Sequence, residues 1–164
     1  MNVARAVELA VAKVIRDHAQ MGEDVAVRPW QTLQYDGSWV KKKDRTFPVV
    51  SVVAQPPQQD GNESTAYIEC AVVMATKTDD DRDHAAISAL YDAVQGVMDE
   101  AYGQFMRQSP GVELNAITDV LAQELGTGFH FGGLSWGNAL SPNEDEGANV
   151  IGLSIRVHYG RGDY

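Results

Sequence analysis

The stretch Val150-Ile151-Gly152-Leu153-Ser154-Ile155-Arg156-Val157-His158-Tyr159 decides the fold class. From Ile151 to Tyr159 every second residue is apolar, and Gly152, Ser154, Arg156 and His158 fall between them. Successive side chains of a strand point to opposite faces, so the alternation predicts a strand with one face on a core and the other half-exposed. Strands of that kind belong to antiparallel sheets. Working outward, Thr65–Thr76 is a second long strand, and Phe47-Pro48-Val49-Val50-Ser51-Val52-Val53-Ala54 is a β-branched, uncharged one. The latter is predicted to be buried on both faces or nearly so. Pro56-Pro57-Gln58-Gln59-Asp60-Gly61-Asn62 joins the two as a turn-rich connector, which predicts an antiparallel hairpin. Val25–Arg28 is a short strand stopped by Pro29, and Phe129–Trp136 is strand-like but glycine-rich, with Gly132-Gly133 read as a turn in preference to a bulge.

Two kinds of segment lie between the strands. Residues 2–20 carry Val3, Val7, Ala10, Val11, Val14 and Ile15 at helical spacing, with Asn2 as N-cap and Gly22 as a left-handed stop. A long helix is predicted to follow Asp79-Asp80-Asp81, on Ala85, Ile87, Leu90, Val94, Val97, Ala101 and Phe105, with Gly96 and Gly103 as sites for a bend or an early end. A shorter helix is predicted over Glu113–Leu125. Residues 30–46 are polar and hold Trp30, Tyr35 and Trp39, an Asp36-Gly37 hairpin signal and the basic run Lys41-Lys42-Lys43. Residues 137–148 read as a polar acidic loop containing Glu144-Asp145-Glu146. Hairpin-linked strands with segregated helices define a single α+β domain over residues 1–164: a two-layer sandwich with a mostly antiparallel sheet of four to five strands and helices on one face.

Composition narrows the function. Thirteen Lys and Arg against 23 Asp and Glu give a net charge of −10. A chain this acidic lacks the basic footprint that grips phosphates. The one cysteine, Cys70, cannot form an internal disulfide and sits where a small buried hydrophobe is expected. No run approaches a membrane span, and the N-terminal residues lack a secretory cleavage pattern.

No constellation of residues makes a strong case for catalysis. Asp79-Asp80-Asp81-Arg82-Asp83-His84 could bind a hard cation, but carboxylates ahead of a helix are better explained as caps of unpaired backbone N–H groups. His18, His84, His130 and His158 share no metal-ligand spacing, and His158 is expected to be an ordinary surface histidine. No nucleophile elbow or phosphate-cradling loop is present. No catalytic residue, metal or cofactor is therefore expected. Trp30, Trp39 and Trp136 lie in or beside predicted loops, where tryptophan serves either as a partner anchor or as a plug for the sandwich ends.

The order of elements resembles the tail terminator, or tail-completion, proteins of the head–tail joining neck in long-tailed bacteriophages. An N-terminal helix (AVELAVAKVIRDHA) leads to a short strand and an exposed loop. The strand FPVVSVVA, the long strand TAYIECAVVMATKT, an acidic helix start, the helix LNAITDVLAQEL and a final VIGLSIRVHYG follow, over about residues 2–160. The resemblance implies a non-enzymatic virion protein, assembled in the host cytoplasm as a homo-oligomeric ring, usually a hexamer. Its partners would be the tail tube protein and a head-side neck or connector protein, with genomic DNA only passing through the lumen. The 30–46 and 137–148 loops depart from the family pattern. Trp30, Tyr35, Trp39, Lys41, Lys42, Lys43 and Trp136 are then interface candidates. Asp79, Asp80, Asp81, Glu144, Asp145 and Glu146 are candidates for an acidic lumen wall that repels DNA. The alternatives are another neck adaptor of similar fold, a small metal-dependent enzyme built on Asp79–His84, or a cytosolic adaptor.

Overall fold

The alternating C-terminal segment is a strand at the centre of the sheet. In the computed structural model, which describes residues 3–29, 47–59, 65–106, 123, 129–137, 140–145 and 147–161, β7 spans Ala148–Arg161. It pairs antiparallel along its whole length with β4 (Thr65–Lys77), from Thr65 opposite Gly160 to Lys77 opposite Ala148. β2 (Val49–Ala54) pairs antiparallel with β4 on the other side, as the hairpin expectation requires. β1 (Ala26–Pro29) continues the sheet beyond β2, and β5 (Phe129–Trp136) lies beyond β7, giving the order β1-β2-β4-β7-β5. Two short strands complete seven among the described residues: β3 (Gln58–Gln59) on β4 and β6 (Leu140–Asp145) on β7.

The two long helices among the described residues pack on one face. α1 (Val3–Asp17) lies over β1, β2 and β4, and α2 (Ala85–Met106) over β4, β5 and β7. The period-2 pattern explains why. Ile68, Cys70, Val72 and Met74 of β4 and Leu153, Ile155 and Val157 of β7 share that face and bury against Val7, Val11, Ile15, Leu90, Val94 and Val97. The other face of β2 is also closed, because Val49, Val73 and Ala75 form a second buried cluster with Ala26, Phe47 and Val150 packed against it. That is why β2 reads as a continuous apolar run. Cys70 is fully buried, and burial, followed by the charge of Glu8, pushes its thiol far above the usual range.

Polar groups lock the layers. Glu8 is buried on α1, pairs with Arg5, and accepts from the backbone N–H of Ala54 at 3.0 Å. Arg16 donates to the carbonyl of Val27 at 2.9 Å. His18 and Glu100 meet at 2.7 Å between the two helices.

The sequence leaves the pairing of β1 open; β1 and β2 run parallel, Ala26 opposite Val49 through Pro29 opposite Val52. The connection over 30–48 is far longer than a tight hairpin loop, so nothing forces the chain to reverse between them. The turn-rich connector after β2 contains β3. The expected loop at 137–148 contains β6, whose Ser141 and Pro142 sit in a bulge between Leu140 and Asn143. Proline donates no ladder hydrogen bond and is tolerated there. Gly132 is a bulge within β5 rather than a turn, since the register slips between Phe131 and Gly133. α1 ends at Asp17, and Gly22 does not adopt the left-handed conformation; Gly147 does, with φ of 84°. α2 passes through Gly96 and Gly103 without ending. The expected helix at 113–125 lies outside the described residues apart from Gln123, and Asn2 lies outside them as well.

Candidate functional site

The acidic segments converge at one end of the sheet. Thr78–Asp80 is a single 3-10 turn leaving β4, and the N–H of Thr78 donates to the carbonyl of Gly147, in the β6–β7 turn, at 2.9 Å. Across β7, Asn149 stands opposite both Thr76 of β4 and Glu144 of β6. Asp79, Asp80, Asp83 and Glu144 are therefore exposed at the same end, with Lys77 and Arg82 among them. The side chain of Asp145 and all of Glu146 lie outside the described residues.

Asp81, a candidate for the acidic lumen wall, does not join the exposed set. It is 3% exposed, and both carboxylate oxygens are engaged. Oδ1 accepts from the N–H of Ala86 at 2.8 Å. Oδ2 accepts from the N–H of Ile87 at 3.0 Å and from the Thr76 hydroxyl at 2.6 Å. Asn149 Nδ2 donates to the Asp81 carbonyl at 2.8 Å and reaches Oδ2 at 3.3 Å. Burial alone would raise this carboxyl, but the bonds from Thr76, Ala86, Ile87 and Asn149 outweigh it and hold the group below the usual range. Asp83 accepts from the N–H of Ala85 at 3.1 Å, so two carboxylates satisfy three first-turn amides of α2. The capping expectation thus holds for Asp81 and Asp83, whereas Asp79 and Asp80 are solvated. Among the described residues no group of three or more His, Cys, Asp or Glu could hold a metal ion, and no helix is long and apolar enough to cross a membrane.

Beside this end lies a groove of about 460 Å³ between the start of α2 and the β6–β7 pair. His84, Ile87 and Ser88 form one wall; Pro142, Glu144, Asn149 and Ile151 are among the residues of the other. His84 holds a left-handed φ of 62° at the corner where the chain turns into α2.

A second polar surface, on the sheet face away from the helices, was not anticipated. Tyr67 and Glu69 of β4 stand opposite His158 and Arg156 of β7. The Arg156 guanidinium lies 5.1 Å from the Tyr67 ring centre, and its Nε is 3.7 Å from Glu69 Oε2. The His158 ring is 5.7 Å from Tyr67, and its Nε2 lies 2.8 Å from the Ser135 hydroxyl of β5. His158 is therefore half-buried in a cross-strand network, not an ordinary surface histidine. The signal was available in sequence: the alternation that puts Arg156 and His158 outward also puts Tyr67 and Glu69 outward. Only the register joins them.

Glycine matters at one position of this face. The N–H of Gly137 donates to the Ser154 carbonyl at 2.8 Å, and a Cβ there would stand 2.6 Å from Glu69 Oε1 and 2.8 Å from Ser154 Oγ. Gly137→Ala is expected to cost about 1–2 kcal/mol by forcing those groups apart, measured by urea unfolding. Trp136, immediately before it, is 40% exposed. Trp30, Tyr35, Trp39, Lys41, Lys42 and Lys43 lie outside the described residues.

No family model matches the chain, and no curated protein matches it. Among solved structures, the chain is similar to one from the "Virion of native gene transfer agent (GTA) particle", with a TM-score of 0.50, 19% identity, and 98% of each chain covered. At that identity the likeness is one of fold.

Proposed function

We propose that the protein is a structural component of a phage-like virion, and more specifically a tail terminator. In this role it forms a homo-oligomeric ring, a hexamer, that caps the tail tube and ends its polymerisation. The ring offers a joining surface to a head-side neck or connector protein and lets genomic DNA pass through its lumen. The observation that carries this reading is the end-to-end likeness of fold to a chain of a virion particle, covering 98% of each. It is supported by the order of elements that resembles tail terminators.

In this role Trp30, Tyr35, Trp39 and the exposed Trp136 anchor contacts with neighbouring rings, because tryptophan and tyrosine bury much area for little rotamer loss. Lys41, Lys42 and Lys43 steer toward an acidic surface. Asp79, Asp80, Asp145 and Glu146 give the lumen wall a charge that discourages DNA adhesion. A ring also needs two different patches per subunit, since closed rotation requires a heterologous interface. The rival metal-enzyme reading is weakened by Asp81, whose two oxygens are already committed to protein donors.

Light scattering of the purified chain, followed by electron microscopy with tail tubes, tests the proposal. Rings seated at tube ends are expected. A chain that stays monomeric and never joins a tube overturns it, while rings that bind head-side components but ignore tubes favour another neck adaptor.

A further inference from the structure

We infer that the groove between the start of α2 and β6–β7 is the receptor for a lysine side chain from a second copy of the chain, supplied by Lys41–Lys43. This rests on the ring proposed above and names one of its seams. Asn149 forms part of the groove wall and is only 3% exposed. Its Nδ2 faces two acceptors of Asp81, which fixes the orientation of the amide and leaves Oδ1 buried without a partner. A buried acceptor with no donor is destabilising and leaves this wall of the groove incompletely satisfied.

The rest of the lining suits one kind of donor. Glu144, exposed and directly across from Asn149, adds a full negative charge. Ile87, Pro142 and Ile151 supply apolar contact for a methylene stem. A compact ammonium on a four-carbon chain matches both features. Three of the five lysines in the sequence are Lys41–Lys43, on a chain of net charge −10. An acidic groove on one patch and a lysine run on another are the two unlike surfaces that a closed ring must bring together.

The test is a charge swap in the full chain, read by sedimentation velocity at low salt, with circular dichroism confirming that each variant is folded. Glu144→Lys alone, and Lys41→Glu, Lys42→Glu and Lys43→Glu together, are each expected to lower the assembled fraction at least about tenfold, because like charges then face each other. An equimolar mixture of the two variants is expected to assemble again, since each offers what the other lacks. Wild-type assembly by either variant alone overturns the inference and leaves the ring reading standing. Rescue only when both swaps share one chain overturns it too, by placing the lysines in their own groove. A wild-type chain that never self-associates removes the ring and the seam together.

Discussion

Asp81→Ala is expected to lower the unfolding free energy by about 3 kcal/mol, a fall of roughly 6–12 °C in melting temperature for a chain of this size. The substitution removes the carboxylate that accepts from two first-turn amides of α2 and from the Thr76 hydroxyl, while Asn149 keeps its bond to the Asp81 carbonyl. Losing a cap costs about 1 kcal/mol by itself. The remainder comes from donors left without a partner in a site that is nearly closed to water. Asp81→Asn keeps the volume but turns an N–H₂ group toward other donors, and is expected to cost about 2 kcal/mol. Thermal and urea unfolding measure both.

The same carboxylate sets an acid limit. Its pKa is lowered in the folded chain, so its contribution is fully present above the unfolded value of about 4. The contribution is lost as pH falls through the folded value. The stability gap between the wild type and Asp81→Asn is therefore expected to stay constant from neutral pH to about 5 and to close below about 4. A gap that persists unchanged in acid would show that Asp81 acts by packing rather than by charge.

Ile68→Ala is the second large effect, with an expected loss of about 3 kcal/mol. Ile68 is fully buried on β4 opposite Val157, also fully buried, in the cluster roofed by the two helices. Its neighbour Tyr67 points to the other face, where its hydroxyl donates to Gln58 at 3.0 Å and its ring carries Arg156. Tyr67→Ala is expected to cost only about 1 kcal/mol. A threefold difference between adjacent residues, measured by urea unfolding, is the energetic signature of the strand's period of two. Equal losses would mean that the outward face is packed as tightly as the core.

Legibility in the sequence followed the range of the interaction. The alternation of Ile151–Tyr159, the both-face burial of Val49–Val52 and the helical stripe of α1 are local patterns, and each appears in the fold as its own residues dictate. The helix-capping role of the acidic run was legible too, because unpaired amides at a helix start need acceptors. Which carboxylate does the capping was not. Asp79, Asp80 and Asp81 are identical residues in a row, and only the 3-10 turn at Thr78–Asp80 turns Asp81 inward and leaves its two neighbours in water.

The candidate surfaces were less legible for the same reason. Leu140–Asp145 has the composition of a loop, and it is a strand because β7 offers it a ladder of backbone groups. That pairing carries Glu144 to Asn149 and so to Asp81, across sequence gaps no local pattern spans. The parallel run of β1 beside β2 and the meeting of Ser135, His158, Tyr67 and Arg156 have the same origin. By itself the sequence determined the class of the fold, the face each strand buries and the acidic character of the chain, because periodicity and charge are properties of consecutive residues. The tertiary structure alone decided the parallel run of β1, the register, the convergence of the acidic segments and the groove between them, because backbone pairing joins residues by geometry rather than by distance along the chain.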